Sequence, residues 1–122
     1  MQDWHVVFPE LDWISDAKLR EQVISVWNEA FKRGGWKDGE LDLIPFTLLV
    51  SDSGVTLAEH TRIVTNLCRN IAGIMKEIGG VSLNDDYLVA GALLHDVGKL
   101  LEYRKTEEGV KVSRSGRYLR HP

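Results

Sequence analysis

Residues 92–100 read ALLHDVGKL, so an apolar run leads directly into a pair of polar side chains. Burying His95 and Asp96 side by side on an apolar helix is costly unless both side chains find partners. A metal ion offsets that cost, because imidazole nitrogen and carboxylate oxygen both bind divalent first-row metals. For these two residues alone, a half-exposed pair at a helix end is the simpler interpretation, so the decision depends on the rest of the sequence.

Two further histidines favour the metal. His60 lies upstream in the segment LAEHTR, and His121 lies in the closing residues RHP. Together with the doublet they resemble the HD-domain superfamily of metal-dependent phosphohydrolases, whose motif HDxGK reads HDVGK from His95 to Lys99. The resemblance covers about half of the chain, from roughly residue 55 to the end.

The resemblance implies a ligand set. His60, His95 and Asp96 are expected to hold a divalent metal, and His121 is the candidate for an added ligand in members that bind two ions. An Asp on a later helix closes the first site in the family, and it is not identifiable before Pro122. We therefore expect the domain to be truncated at its C-terminus. One or two ions are expected, and Mn, Fe, Co, Ni, Zn and Mg all suit His, Asp and water ligands.

Phosphoester hydrolysis needs a metal to activate water and cations to balance the charge on the phosphoryl oxygens. The resemblance places Asp96 and Lys99 in the catalytic group, with Lys99 touching the substrate phosphate or supporting the site. Arg117 and Arg120 are candidates for substrate binding, although a solvated position is the simpler interpretation for each arginine.

We therefore predict a phosphohydrolase that cleaves a small, nucleotide-like phosphomonoester or (cyclic) phosphodiester with metal-activated water. The first alternative is a non-catalytic nucleotide-binding or regulatory module with the same fold, because the ligand set within the chain is incomplete. The second alternative is a di-iron oxygenase, which needs more histidines than the single additional His121.

Composition limits the class of protein. Hydrophobic residues make up 43% and charged residues 27% of the 122-residue chain, as in ordinary globular proteins. No apolar run approaches the ~20 residues of a membrane helix. Cys68 is the single cysteine, which fits a reducing compartment. We expect one cytoplasmic domain over residues 1–122 with a small phosphorylated substrate and no membrane partner; nucleic acid is disfavoured and a homodimer is left open.

The net charge of −3 is unevenly distributed along the chain. Residues 1–98 contain 8 Lys and Arg against 15 Asp and Glu, whereas residues 99–122 contain 7 against 3. A basic segment directly after the His-Asp pair attracts an anionic ligand to that place. A solvated basic surface or a nucleic-acid patch gives the same pattern.

The fold class predicted is all-α, an HD-type helical bundle with a small β-hairpin after the His-Asp helix. Ser15 or Asp16 is expected to cap a first long helix, and Thr56 with Glu59 forms the sequence pattern of a capping box for a second. The second helix is expected to carry a broad apolar face, which includes Ile63, Val64, Leu67, Ile71, Ile74, Met75 and Ile78.

Three further segments complete the prediction. Small and apolar residues on nearly every side predict that the helix after residue 84 is buried all round. Alternating residues around Gly109 predict the hairpin. The aromatic N-terminal segment, residues 1–14, is expected to pack on the helices, and residues 55–122 form the HD motif region.

Overall fold

The computed structural model describes residues 2–49, 54–114 and 116. Within these residues the elements are α1 (Trp4–Val7), a 3-10 helix (Pro9–Trp13), α2 (Ala17–Arg33), a 3-10 turn (Leu41–Leu43), α3 (Leu57–Gly79), α4 (Asp85–Leu94), α5 (Lys99–Glu102), β1 (Tyr103–Thr106) and β2 (Gly109–Val112). The two strands form an antiparallel hairpin in which Tyr103 lies opposite Val112. The predicted helical fold class with a small hairpin is confirmed.

Local hydrogen bonds explain where the long helices begin. The Asp16 side chain accepts from the backbone N–H groups of Lys18 and Leu19, which caps α2. Thr56 and Glu59 form both bonds of the capping box at α3. These caps satisfy donors that a helix N-terminus otherwise leaves without a partner. The predicted starts of both helices are therefore confirmed.

The core is built on aromatic rings from two segments. Trp4 and Phe8 of the N-terminal segment pack on Trp27, with ring centroids 5.5 Å and 4.8 Å from its centroid. The Trp27 indole N–H donates to the Leu93 carbonyl at 2.9 Å, which joins α2 to α4. Trp27 is 1% exposed. The expectation that residues 1–14 pack on the helices is thus confirmed for the described residues.

The α4 helix is not buried all round, and that prediction is wrong. Val89, Ala92 and Leu93 are buried, but Tyr87 is 68% exposed and Gly91 is also exposed. Its neighbours in the described residues are α2, α3 and the 3-10 helix Pro9–Trp13, which together cover one side. Small and apolar residues on every side of a helix allow each side to be buried but do not require it. In this fold part of the α4 surface stays exposed.

The apolar face of α3 is largely exposed in the part of the chain that the structure describes. Its central stripe has exposed fractions between 50% and 83% and consists of Ile63, Leu67, Ile71, Ile74 and Ile78. The side of α3 that faces the core carries smaller residues, among them Thr61, Thr65 and Ala72. Apolar area of this extent is typical of a contact surface. The single-domain organisation, the truncation and the homodimer stay predictions.

In the part of the chain that the structure describes, no helix is both long enough and apolar enough to cross a membrane.

Candidate metal centre

Three side chains meet where α4 ends and α3 begins. The α4 helix ends at Leu94, so His95 and Asp96 lie at the start of the turn that leads into α5. The capping box at Thr56 starts α3, which puts His60 in its first turns. The Nε2 atom of His60 lies 3.0 Å from Oδ2 of Asp96, and the Nε2 atom of His95 lies 3.1 Å from the same oxygen. The two Nε2 atoms are 3.4 Å apart.

These distances fit ligands of one metal ion. Metal–nitrogen and metal–oxygen bonds of about 2.0 to 2.2 Å put neighbouring ligand atoms about 2.9 to 3.6 Å apart, from right-angled to tetrahedral geometry. The three donor atoms lie within that range of one another. Two imidazoles and a carboxylate also form a donor set that Zn, Mn, Fe, Co and Ni accept. The predicted group His60, His95 and Asp96 is brought together as one cluster.

The His95 ring is held in the tautomer that a metal requires. Its Nδ1 lies 2.6 Å from the Ala92 carbonyl oxygen, and a carbonyl only accepts, so Nδ1 carries the proton. In the neutral ring, Nε2 then presents a lone pair towards the Asp96 carboxylate, which is also an acceptor. Two acceptors 3.1 Å apart need a cation or a further proton between them. The cluster is therefore arranged for a positively charged guest.

The His60 ring is held differently. It stacks on the Phe46 ring with centroids 5.0 Å apart and an interplanar angle of 22°. Burial lowers the pKa of His60, the positive charges of His95 (when protonated) and Lys99 lower it further, and Asp96 opposes both effects. Because a lowered pKa favours the neutral imidazole, His60 is available as a ligand at neutral pH.

Asp96 is the anionic member of the cluster. Its side chain is 7% exposed, whereas the side chains of His60 and His95 are 26% and 33% exposed. The Asp96 carboxylate is thus the most buried of the three groups, and the two imidazoles lie nearer to solvent. A buried carboxylate is retained only where opposite charge or hydrogen bonds compensate for lost hydration.

Lys99 lies close to the cluster but has partners within the protein. Lys99 is 4% exposed, and its Nζ donates to the Phe46 carbonyl oxygen. The Tyr103 hydroxyl is 3.4 Å from Nζ. Burial raises the pKa of that hydroxyl. The Lys99 ammonium is thus already hydrogen-bonded inside the protein. A contact between Lys99 and substrate stays a prediction.

Sequence reasoning missed Phe46. It follows Pro45 in a connector without regular helical spacing, so the sequence offered no signal beyond an aromatic residue after a proline. The remaining predicted site residues, His121, Arg117 and Arg120, lie outside the described residues. Their roles as ligand and as substrate contacts stay predictions.

Comparison with known proteins identifies the family. The HD domain family matches residues 57–121, more than half of the chain, and the chain belongs to that family. The match includes His60 and the His95-Asp96 doublet.

A curated relative is also similar. The dihydroneopterin 2',3'-cyclic phosphate phosphodiesterase of Methanocaldococcus jannaschii is 45% identical over 53 residues, which are 43% of this chain and 21% of the relative. The matched part thus spans about a fifth of that relative's length. No solved structure matches the chain.

Proposed function

We propose that the chain carries the catalytic centre of a metal-dependent phosphohydrolase that cleaves a small, nucleotide-like cyclic phosphodiester. The observation that carries the proposal is the convergence of two imidazole nitrogens and one carboxylate oxygen within 3.4 Å. Membership of the HD domain family supports the phosphohydrolase class. The name of the curated relative favours a cyclic phosphodiester over the phosphomonoester that the sequence left open.

Each residue has a separate task in this proposal. His60 and His95 would hold the ion through Nε2, and the Ala92 carbonyl keeps the His95 ring in the required tautomer. Asp96 completes the set and orients the attacking water by accepting its hydrogen bond. A bound divalent ion supplies polarisation of the phosphoryl oxygen and a lower pKa for the attacking water. Hydrolysis then adds one water and opens one P–O bond of the ring, which leaves a phosphomonoester.

The metal itself is proposed only as a divalent ion from the set Mn, Fe, Co, Ni, Zn and Mg. The donor set of two nitrogens and one oxygen favours the transition metals over Mg, which prefers oxygen ligands. The oxygenase alternative has no observation in its favour, because the further histidine that it needs, His121, lies outside the described residues.

The test is turnover of a substrate panel by the purified protein. The panel contains 2',3'-cyclic and 3',5'-cyclic nucleotides and nucleoside monophosphates, each with added Mn, Co, Ni, Zn or Mg and with EDTA. We expect metal-dependent opening of a cyclic phosphate, with activity lost in His95→Ala. The matched control is His5→Ala, because His5 faces Asp12 at 3.5 Å in an exposed His-Asp pair away from the cluster.

Two results contradict the proposal. One is the absence of turnover on every substrate by protein that binds metal, which favours the regulatory module. The other is equal activity in His95→Ala and His5→Ala, which places the chemistry elsewhere.

A further inference from the structure

The two histidines of the cluster are supported in unequal ways. His95 is fixed by the hydrogen bond from Nδ1 to the Ala92 carbonyl. Among the described residues, no protein group bonds to Nδ1 of His60, and its ring is held by stacking on Phe46. A histidine ligand generally needs a group that fixes its ring, since a freely rotating imidazole loses entropy when it binds a metal.

Backbone pairing places Phe46 beside His60. Pro45 pairs with Thr56 in an isolated antiparallel bridge. The Phe46 N–H donates to the Val55 carbonyl at 3.2 Å, and the Leu57 N–H donates to the Ile44 carbonyl at 2.8 Å. These bonds run along the residues directly before α3, so they align the Phe46 ring with the first turn of the helix.

Lys99 connects that segment to the His-Asp turn. Its backbone N–H donates to the Asp96 carbonyl at 3.1 Å, while its buried Nζ donates to the Phe46 carbonyl. The side chain thus spans from the turn that carries two ligands to the segment that supports the third. A buried ammonium is costly without such partners, so this contact fixes the position of the segment as well as that of the lysine.

We propose that Lys99 and Phe46 are positioning residues for the metal ligand His60, a role that rests on the proposed function. The Lys99 ammonium holds the Phe46 carbonyl, and the Phe46 ring holds the imidazole with Nε2 directed at Asp96 and His95. Lys99 therefore acts on His60 through Phe46.

Charge and positioning predict opposite changes in metal affinity when Lys99 is replaced. The Lys99 ammonium lies beside the cluster, because it donates to the carbonyl of Phe46, whose ring stacks on His60. A positive charge near a cation site weakens binding of the cation, so charge alone predicts that Lys99→Met strengthens metal binding. Positioning predicts the reverse. Loss of a group that orients a ligand typically weakens metal affinity by about tenfold or more.

The experiment measures Mn²⁺ or Co²⁺ affinity by calorimetry, without substrate. We expect Lys99→Met and Phe46→Leu each to weaken binding about tenfold, and Phe46→Tyr, which keeps the ring, to stay near wild type. The control is Lys105→Met, because Lys105 donates to Glu40 at 2.9 Å on the hairpin and should leave affinity unchanged. The double variant Lys99→Met/Phe46→Leu should bind metal no more weakly than whichever single variant binds it less tightly. The two effects should not add, because Lys99 acts on His60 through Phe46.

A spectroscopic measurement on the metal-free protein keeps the inference separate from the proposed function. The ring current of Phe46 should shift the His60 ring proton signals, and Phe46→Leu or Lys99→Met should remove or reduce that shift while leaving those of His5 unchanged. Failure of the wild-type protein to bind metal overturns the proposed function. The ring-current shift would then still test whether Lys99 and Phe46 position the His60 ring. Stronger binding by Lys99→Met, or full additivity in the double variant, overturns the positioning role.

Discussion

The aromatic core and the metal cluster are both made of packed rings, but they are completed in different ways. In the core, the Trp4, Phe8 and Trp27 rings pack together, and both indole N–H groups find acceptors: Trp27 donates to the Leu93 carbonyl and Trp4 to the Asn28 side chain. In the cluster, the Nε2 lone pair of His95 faces the Asp96 carboxylate. The first region is dry and apolar, whereas the second brings two imidazole nitrogens and a carboxylate oxygen close enough to bind one cation.

This comparison separates stability from binding. A substitution in the core should lower the free energy of unfolding and leave the cluster's affinity for metal unchanged in the folded molecules. A substitution in the cluster should do the opposite.

The largest effect is expected from Trp27→Ala. Removing a fully buried Trp side chain lowers the free energy of unfolding by about 3 to 5 kcal/mol, because packing is lost and a cavity remains. Urea denaturation measures the loss. Metal affinity of the folded fraction should stay within about twofold of wild type, a change of less than 0.5 kcal/mol. A tenfold loss of affinity in this variant would mean that core and cluster are not independent.

Asp96→Asn should show the reverse pattern. Metal affinity falls by more than about a hundredfold, about 2.7 kcal/mol, because the anionic ligand of the described cluster is lost. Unfolding of the metal-free protein should need as much urea as wild type or more, since an amide N–H can donate to the imidazole lone pair. Marked destabilisation without metal would show that the carboxylate is structural.

A third variant tests the connection between the N-terminal segment and α3. Glu10 is 2% exposed and accepts from the Arg62 Nε at 2.8 Å and from the Asn66 side chain at 3.1 Å. Glu10→Gln should lower the free energy of unfolding by about 1 to 3 kcal/mol, because a buried charge-assisted contact is lost. The matched control is Glu29→Gln, since Glu29 pairs with Arg33 at 2.8 Å on the exposed side of α2 and should change stability very little. Equal effects of both substitutions would contradict the argument from burial.

The smallest effect is expected at the start of α4 and depends on pH. Hydrogen bonds from the Ser15 and Asp16 backbone N–H groups and the Ser15 hydroxyl lower the pKa of Asp86 in the folded state. A depressed pKa contributes stability above the pKa of the unfolded chain, and this contribution is lost as pH falls through the folded value. Asp86→Asn should therefore melt slightly below wild type at neutral pH, and the difference should shrink in acid. A difference that does not change with pH would contradict this assignment.

Much of the helical fold was predictable because its signals are local. The Asp16 cap and the Thr56–Glu59 capping box depend on residues two or three positions apart, which the sequence shows directly. The hairpin from Tyr103 to Val112 follows from alternation around Gly109. The cluster of His60, His95 and Asp96 was predicted through a family motif and not from helix periodicity.

The rest depends on contacts between distant segments. The stacking of Phe46 on His60 needs the bridge between Pro45 and Thr56, which no pattern in the connector indicates. Lys99 was expected to touch the substrate phosphate or to support the site, and its bond to the Phe46 carbonyl depends on the same connector. Periodicity gives the apolar face of α3 without saying whether another element covers it, and the composition of α4 indicates no single buried side.

The most direct test of the central claim is metal stoichiometry. Wild type, His95→Ala and His5→Ala are loaded with Co²⁺, dialysed, and analysed for bound metal by mass spectrometry and visible absorption. We expect at least one equivalent in wild type and His5→Ala, with ligand-field bands typical of nitrogen and oxygen ligands, and none retained in His95→Ala. Equal retention by all three proteins, or none in wild type, would contradict the claim that His60, His95 and Asp96 form a metal site.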